Sequence, residues 1–362
     1  MDNIVLRAVR RIGRITSVMN MKRRDFLKGL AVGGMVAAVP GGLWAAEDKF
    51  IWGYMLKLGT NAWCDQVPDK WSSWYKTPYE LSLKAPSDTL RCDEALWRKT
   101  TDRAAKVGCN LLLIDLSEGL QYPSHPELAI KGSWSVEKMR AEIARLKSIG
   151  LEPIPKLNFS TSHNVWMGEY RRMVSTTKYY QVCSDLIRDV AEIFDRPRFM
   201  HLGFDEEAYW GQERYRFVVI RQGELWWHDL LWTAEQAEKA GMRPWVWSDK
   251  MWSNRDEFLK RMPKSVVQSN WYYGSFPGKS DTARAQIADY EALDKAGFDQ
   301  IPCASNYAHD ENFHNTLQYG REHFDPKRFL GMLMAPWFHT IPHWESRLSG
   351  ALDVLEKEKI GG

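Results

Sequence analysis

The sequence predicts a single (β/α)8 barrel of TIM type over residues 47–362, and three observations carry that expectation. Eight short apolar runs recur along the chain, each followed by a polar or aromatic loop and then an amphipathic stretch of helical period. No internal linker or short repeat interrupts the alternation. No Gly-rich G-x-G-x-x-G or Lys-bearing phosphate loop follows the first run, which weighs against a doubly wound open sheet.

Taken in order, the expected strands are 55–60, 110–116, 152–159, 198–204, 243–247, 265–270, 301–305 and 329–335. The helices between them show apolar residues at steps of three and four. Met139, Ile143 and Leu146 form one such stripe, and Gly150 supplies a stop behind it. Tyr180, Cys183, Leu186, Ile187, Val190 and Phe194 form the next, and a further helix is expected near 222–240, ahead of Gly241. Trp97, Trp226, Trp227 and Trp232 fall within helical patterns and are assigned to packing.

Composition narrows the classes. The chain has 362 residues, 44% hydrophobic and 26% charged, which excludes low-complexity disorder and collagen-like repeats. No apolar run reaches the length a membrane span needs. Charge is uneven: residues 1–28 carry eight Lys and Arg against two Asp, so the whole-chain +3 leaves −3 for the remainder. A slightly acidic remainder argues against a nucleic-acid partner. Cys64, Cys92, Cys109, Cys183 and Cys303 are odd in number and lack C-x-x-C spacing. They suit neither a zinc site nor a disulfide scaffold and are expected to be small buried hydrophobes. No cofactor is expected.

The first segment reads as an address. Met21-Lys22-Arg23-Arg24-Asp25-Phe26-Leu27-Lys28 precedes an uncharged Gly/Ala-rich stretch, 29–39, and small residues around Ala45 and Ala46. The paired arginines followed by Phe-Leu-Lys resemble the twin-arginine export signal, which implies a periplasmic or secreted protein and the export machinery as a partner. Residues 1–20 are then an upstream extension, 21–46 the signal peptide and 47–362 the barrel. With no cysteine at the cleavage region, no stable membrane anchor is expected after cleavage.

In a parallel β/α barrel the chemistry sits where strand C-termini open into loops. Here those ends carry Asn61, Trp63, Asn158, His163, Trp247, Asp249, Asn270, Trp271, Tyr307 and Trp337. Aromatic plates interleaved with carboxylates and amides suit a carbohydrate, whose C–H faces stack on rings while its hydroxyls bond polar groups. Strand four is the most informative: Phe199-Met200-His201-Leu202-Gly203-Phe204-Asp205-Glu206-Glu207 runs an apolar strand directly into acids. Neighbouring strand side chains alternate faces, so Asp205 and Glu206 serve one pocket only where the strand ends or bends.

His201-Leu202-Gly203-Phe204-Asp205-Glu206 resembles the H-x-G-G-D-E motif of glycoside hydrolase family 20, the β-N-acetylhexosaminidases. The resemblance implies substrate-assisted, retaining hydrolysis. In that route the sugar's 2-acetamido oxygen attacks the anomeric carbon, Asp205 orients that group, and Glu206 acts as general acid and then base. It further implies an aromatic box of Trp247, Trp271 and Trp337 around the acetamido methyl, and a hydrogen bond from Tyr307 to the acetamido oxygen. Pro155 and His163 are similar to the family's strand-three segment. Three features depart from the pattern: Phe204 replaces the second motif glycine, strand one lacks the family's arginine and aspartate, and no small domain separates the signal from the barrel. Two alternatives stay open: a metal-dependent, sugar-isomerase-like barrel drawing on His163, Glu206, Asp249, His309 and His339, and a carbohydrate-binding barrel without turnover.

Overall fold

A computed structural model describes residues 49–360. The expected extension 1–20 and signal peptide 21–46 lie outside the described residues.

Eight parallel strands form the sheet: β1 (Ile51–Lys57), β2 (Leu111–Asp115), β3 (Glu152–Lys156), β4 (Phe199–His201), β5 (Arg243–Trp247), β6 (Val267–Ser269), β7 (Cys303–Ala304) and β8 (Gly331–Met334). They pair in the order β6-β5-β4-β3-β2-β1-β8-β7. Parallel bridges Gln268–Gln300 and Trp271–Cys303 join the two edges into a ring. A principal helix follows each strand: α1 (Glu94–Lys106), α2 (Val136–Ser148), α3 (Thr177–Ile193), α4 (Gly223–Lys239), α5 (Arg255–Arg261), α6 (Asp281–Lys295), α7 (Asn312–His323) and α8 (Glu345–Ile360). The fold is a (β/α)8 barrel.

Local chemistry sets the helix boundaries. Asp93, Ser135, Thr176, Asn254 and Ser280 each accept a backbone N–H of the first turn of the helix they precede. On α3 the stripe Tyr179, Val182, Cys183, Leu186, Ile187 and Val190 is buried against the sheet. Trp97, Trp226 and Trp227 are buried in the same outer layer, and Trp232 packs on it half-buried. The five cysteines are free thiols, four of them buried.

Strand lengths differ from the sequence expectation in two instructive places. β1 starts at Ile51 rather than 55, through a Gly53 that interrupts the apolar run. A Cβ there would lie 3.1 Å from the Leu333 side chain, so the glycine lets β8 pack closely. β4 pairs only over three residues instead of running to 204, because Gly203 and Phe204 take positive φ of 77° and 71°.

Alternation decides what fills the barrel. Along β2, Leu111, Leu113 and Asp115 point inward while Leu112 and Ile114 join the outer core. Inner apolar layers of Ile51, Met55, Ile154, Phe199, Trp245 and Leu333 are therefore capped by an ionic layer. Asp115 sits there between Lys57 Nζ at 3.1 Å and Lys156 Nζ at 3.0 Å, all three buried. Burial alone would raise the Asp115 carboxyl, but Lys156 and Lys57 hold it below its ordinary value.

Breaking such a buried set leaves an uncompensated charge. Asp115→Asn is expected to cost about 3–5 kcal/mol in urea unfolding, whereas replacing all three residues by Leu and Met recovers most of that loss.

Candidate functional site

At the C-terminal mouth of the barrel the chain after β4 turns sharply. Gly203, Phe204 and Glu206 all have left-handed backbone, with φ of 77°, 71° and 54°. Gly203 is required on two counts, since a Cβ there would also stand 1.9 Å from Asn158 Oδ1. The Phe204 ring packs outward into the layer between sheet and helices, 6.0 Å from Trp226 and under the Arg221 guanidinium, so it does not obstruct the mouth. The bend places Asp205 and Glu206 together on one pocket despite their adjacency.

The loop after β3 holds this bend. Asn158 Nδ2 donates to Asp205 Oδ1 at 2.8 Å, and the Ser160 hydroxyl donates to the Asp205 carbonyl. Ser162 Oγ donates to the Glu206 carbonyl at 2.5 Å. From β5, Asp249 Oδ2 accepts the Glu206 backbone N–H at 2.8 Å. Glu207 is locked in the buried layer by Arg221 at 2.7 Å and by Thr161 Oγ1 at 2.9 Å.

The pocket has a volume of about 660 Å³ including its open mouth. Trp63, Trp71 and Lys84 enter it from the loop after β1, and His163 from the loop after β3. Trp271 and Tyr273 come from the end of β6, with Tyr307 from β7 and Trp337 from β8. Trp271 and Tyr273 stack with centroids 5.1 Å apart, and Trp337 meets Trp63 edge-on at 6.2 Å. Glu206 is also part of the wall of a second, adjoining pocket with Asp249, Trp252 and the half-exposed Trp210.

Electrostatics centre on His163. Its Nε2 lies 3.3 Å from Asp205 Oδ2 and 3.2 Å from Glu206 Oε2. Burial by itself would push the imidazole down, but the Asp205 carboxylate, then Glu206, outweigh it and raise the pKa to about 10. Asp205 is correspondingly held below the ordinary carboxylate range: His163 and Lys156 overcome the burial that would raise it. Asp249 goes the other way. Burial and the nearby Asp205 charge push it up to about 8.

The residues expected from sequence separate into groups. Asp205, Glu206, Trp63, His163, Trp271, Tyr307 and Trp337 line the pocket. Trp247 and His201 lie beneath it: the two rings are 4.3 Å apart, Trp247 is 5.6 Å from Trp337, and His201 Nδ1 accepts the Gly203 N–H. Asn158 and Asp249 fix the bend. Asn61 and Asn270 do not reach the pocket, because their amides close loops onto Ser87 and onto the Gln286 carbonyl. Trp71, Lys84 and Tyr273 complete the lining although sequence reasoning missed them. Tyr273 was readable, since it stands two residues beyond Trp271 and so on the same face.

Among the described residues no three His, Cys, Asp or Glu side chains are grouped to hold a metal ion. His339 is buried against the Leu83 carbonyl at 2.8 Å and His309 lies on an exposed loop, so the five candidate ligands do not converge.

Comparison with solved structures finds the same architecture. A β-N-acetylhexosaminidase from Bacteroides fragilis is similar with a TM-score of 0.58 and 13% identity, over 84% of this chain and 64% of its own. A mutant β-hexosaminidase from Streptomyces plicatus, in complex with its product GlcNAc, gives 0.56 and 14% over 84% and 64%. The (β/α)8 fold is shared with these two enzymes. Dispersin B gives 0.50 and 14%, over 74% of this chain and 95% of its own. The chain thus spans less than two thirds of the length of the first two hexosaminidases, 64% in each case. Residues 201–206 stand at the end of β4, at the C-terminal mouth of the barrel. A search of curated proteins finds no match. Residues 20–40 match the TAT (twin-arginine translocation) pathway signal sequence, and the chain is exported. No helix among the described residues is long and apolar enough to cross a membrane.

The His163 shift has a consequence for stability. With a folded pKa of about 10 against about 6.5 unfolded, its contribution is full below about pH 6.5 and is lost as pH rises through about 10. The gap in urea midpoint between the wild type and His163→Gln is therefore expected to be widest near pH 6 and to close toward pH 10.

Proposed function

We propose that the protein is an exported glycosidase acting on 2-acetamido sugars by substrate-assisted retention, with Asp205 and Glu206 as the catalytic pair. The observation that carries this reading is the left-handed bend after β4, which presents two consecutive carboxylates to one aromatic pocket. Acids from adjacent residues leave little room for the separated nucleophile and acid of ordinary glycoside hydrolysis, so the nucleophile is assigned to the substrate itself.

Chemically, Glu206 donates a proton to the glycosidic oxygen while the acetamido oxygen bonds to the anomeric carbon and the leaving group departs. Asp205, kept ionised by His163 and pinned by Asn158, orients the acetamido N–H and stabilises the positive charge of the cyclised intermediate. Water then attacks the anomeric carbon as its bond to the acetamido oxygen breaks and the acetamido group is restored, Glu206 takes the water's proton, and the configuration is retained. Trp271, Tyr273 and Trp337 supply the aromatic wall for the sugar and its acetamido methyl. Because Glu206 stands in the shared wall of two pockets, the aromatic pocket takes the sugar and the one beside Trp210 and Trp252 takes the leaving group.

Glu206→Gln is expected to lower hydrolysis of an aryl β-N-acetylhexosaminide by at least about a hundredfold while sugar binding persists. A thiazoline mimic of the cyclised intermediate is expected to inhibit the wild type. Undiminished turnover in that variant overturns the assignment, and sugar binding with no turnover by the wild type shifts the reading to a binding protein.

Asp249 gives a second test. Below about pH 8 its neutral carboxyl accepts the Glu206 N–H without adding charge, and above it a second anion stands beside the pair. An alkaline decline of kcat/KM near pH 8 is expected in the wild type and is expected to be absent in Asp249→Asn.

A further inference from the structure

Lys84 is the one charged residue of the pocket lining that the mechanism leaves without work. Its side chain is 2% exposed, a degree of burial lysines reach almost only when paired. Among the described residues its ammonium has neither an ion pair nor a hydrogen bond. What holds it is an aromatic cage, with Nζ 4.1 Å from the Trp63 ring centroid, 4.1 Å from Tyr75 and 4.9 Å from Trp71. The backbone around it is clamped. Arg91 donates to the Leu83 and Ala85 carbonyls, and the Cys64 N–H donates to that of Lys84.

Two neighbouring observations point the same way. Lys57 also lies 4.3 Å from the Trp63 centroid, but its charge is answered by Asp115, whereas that of Lys84 is not. The Trp63 indole N–H, buried at the same wall, has no acceptor among the described residues. The titratable groups facing Lys84 are Lys57, Cys64, Tyr75, Glu206 and His339. Burial first and then Lys57 push its ammonium well below the ordinary lysine range. Among the described residues this wall offers the Lys84 ammonium no ion-pair partner and the Trp63 N–H no acceptor.

We propose that the pocket is built for a sugar carrying an anionic substituent, a carboxylate or a sulfate ester, and that Lys84 is the specificity-determining residue that receives it. The anion would supply the counter-charge that the described residues withhold and accept the Trp63 N–H alongside. Charge-assisted hydrogen bonds of this kind are roughly twice as strong as neutral ones, and more so where water is excluded. The assignment rests on reading the pocket as a sugar site.

The test is equilibrium binding to the intact chain of N-acetylglucosamine, its 3-sulfate and 6-sulfate esters, and N-acetylmuramic acid. At least one anionic sugar is expected to bind roughly ten- to a hundredfold more tightly than the neutral parent. Preference among them for a sulfate or for the carboxylate tells which anion the wall accepts. Lys84→Met is expected to abolish the preference and Lys84→Arg to keep most of it, and Lys84→Gln takes the place of the Met variant if that fails to fold. Equal binding of charged and neutral sugars by the wild type, or a preference that survives in Lys84→Met, overturns the Lys84 assignment and leaves the sugar pocket standing. Binding of none of the four overturns both together.

Discussion

The bend from Gly203 to Glu206 is the constraint on which the rest of the site depends. Two non-glycine residues in left-handed backbone, Phe204 and Glu206, cost on the order of 1–3 kcal/mol each. Hydrogen bonds from Asn158, Ser160, Ser162 and Trp247, together with Asp249 accepting from Glu206, offset that at roughly 1 kcal/mol apiece. The strain persists because the two strands flanking β4, β3 and β5, supply its partners. In return, two consecutive carboxylates that a regular strand would separate face one pocket.

Beneath the bend, the polar layer is arranged so that each charge sets the state of the next. Lys57 and Lys156 hold Asp115 ionised, and Lys156 helps to hold Asp205 ionised. Asp205 in turn raises His163 and, adding to the larger effect of burial, Asp249, with opposite results for charge: the imidazole becomes cationic and the second carboxyl stays neutral at pH 7. Neighbouring acids with divergent proton affinities are what acid–base chemistry at one pH requires. The apolar layers of the barrel below exclude the water that would otherwise screen these interactions.

Much of this was legible in the residues. The eight-strand alternation, the helix stripes and the packing tryptophans follow from periodicity, because burial on one face imposes period two or 3.6 wherever it occurs. The acidic run after β4 was legible because adjacent carboxylates following an apolar strand contradict strand chemistry. Polar residues at strand ends were less well sorted. Asn61, Asn270, Trp63 and Trp271 carry the same positional signal, yet the two amides close loops while the two indoles line the pocket. A strand end fixes which mouth a residue belongs to, and the loop fold fixes whether its side chain turns inward or back onto the backbone.

The sequence by itself determined the barrel, its export signal and the pair Asp205–Glu206, since each is written in local pattern and spacing. Only the tertiary structure decided that Phe204 packs away from the pocket, that His163 stands between the two carboxylates, and that Lys84 lies in a cage of Trp63, Trp71 and Tyr75. Lys84 is the clearest instance. It is a single lysine on a long loop with no motif around it, and its meaning comes from a desolvated position for which the described residues provide no counter-charge. Desolvation and charge balance depend on residues far apart in sequence, so no local reading of the chain contains them.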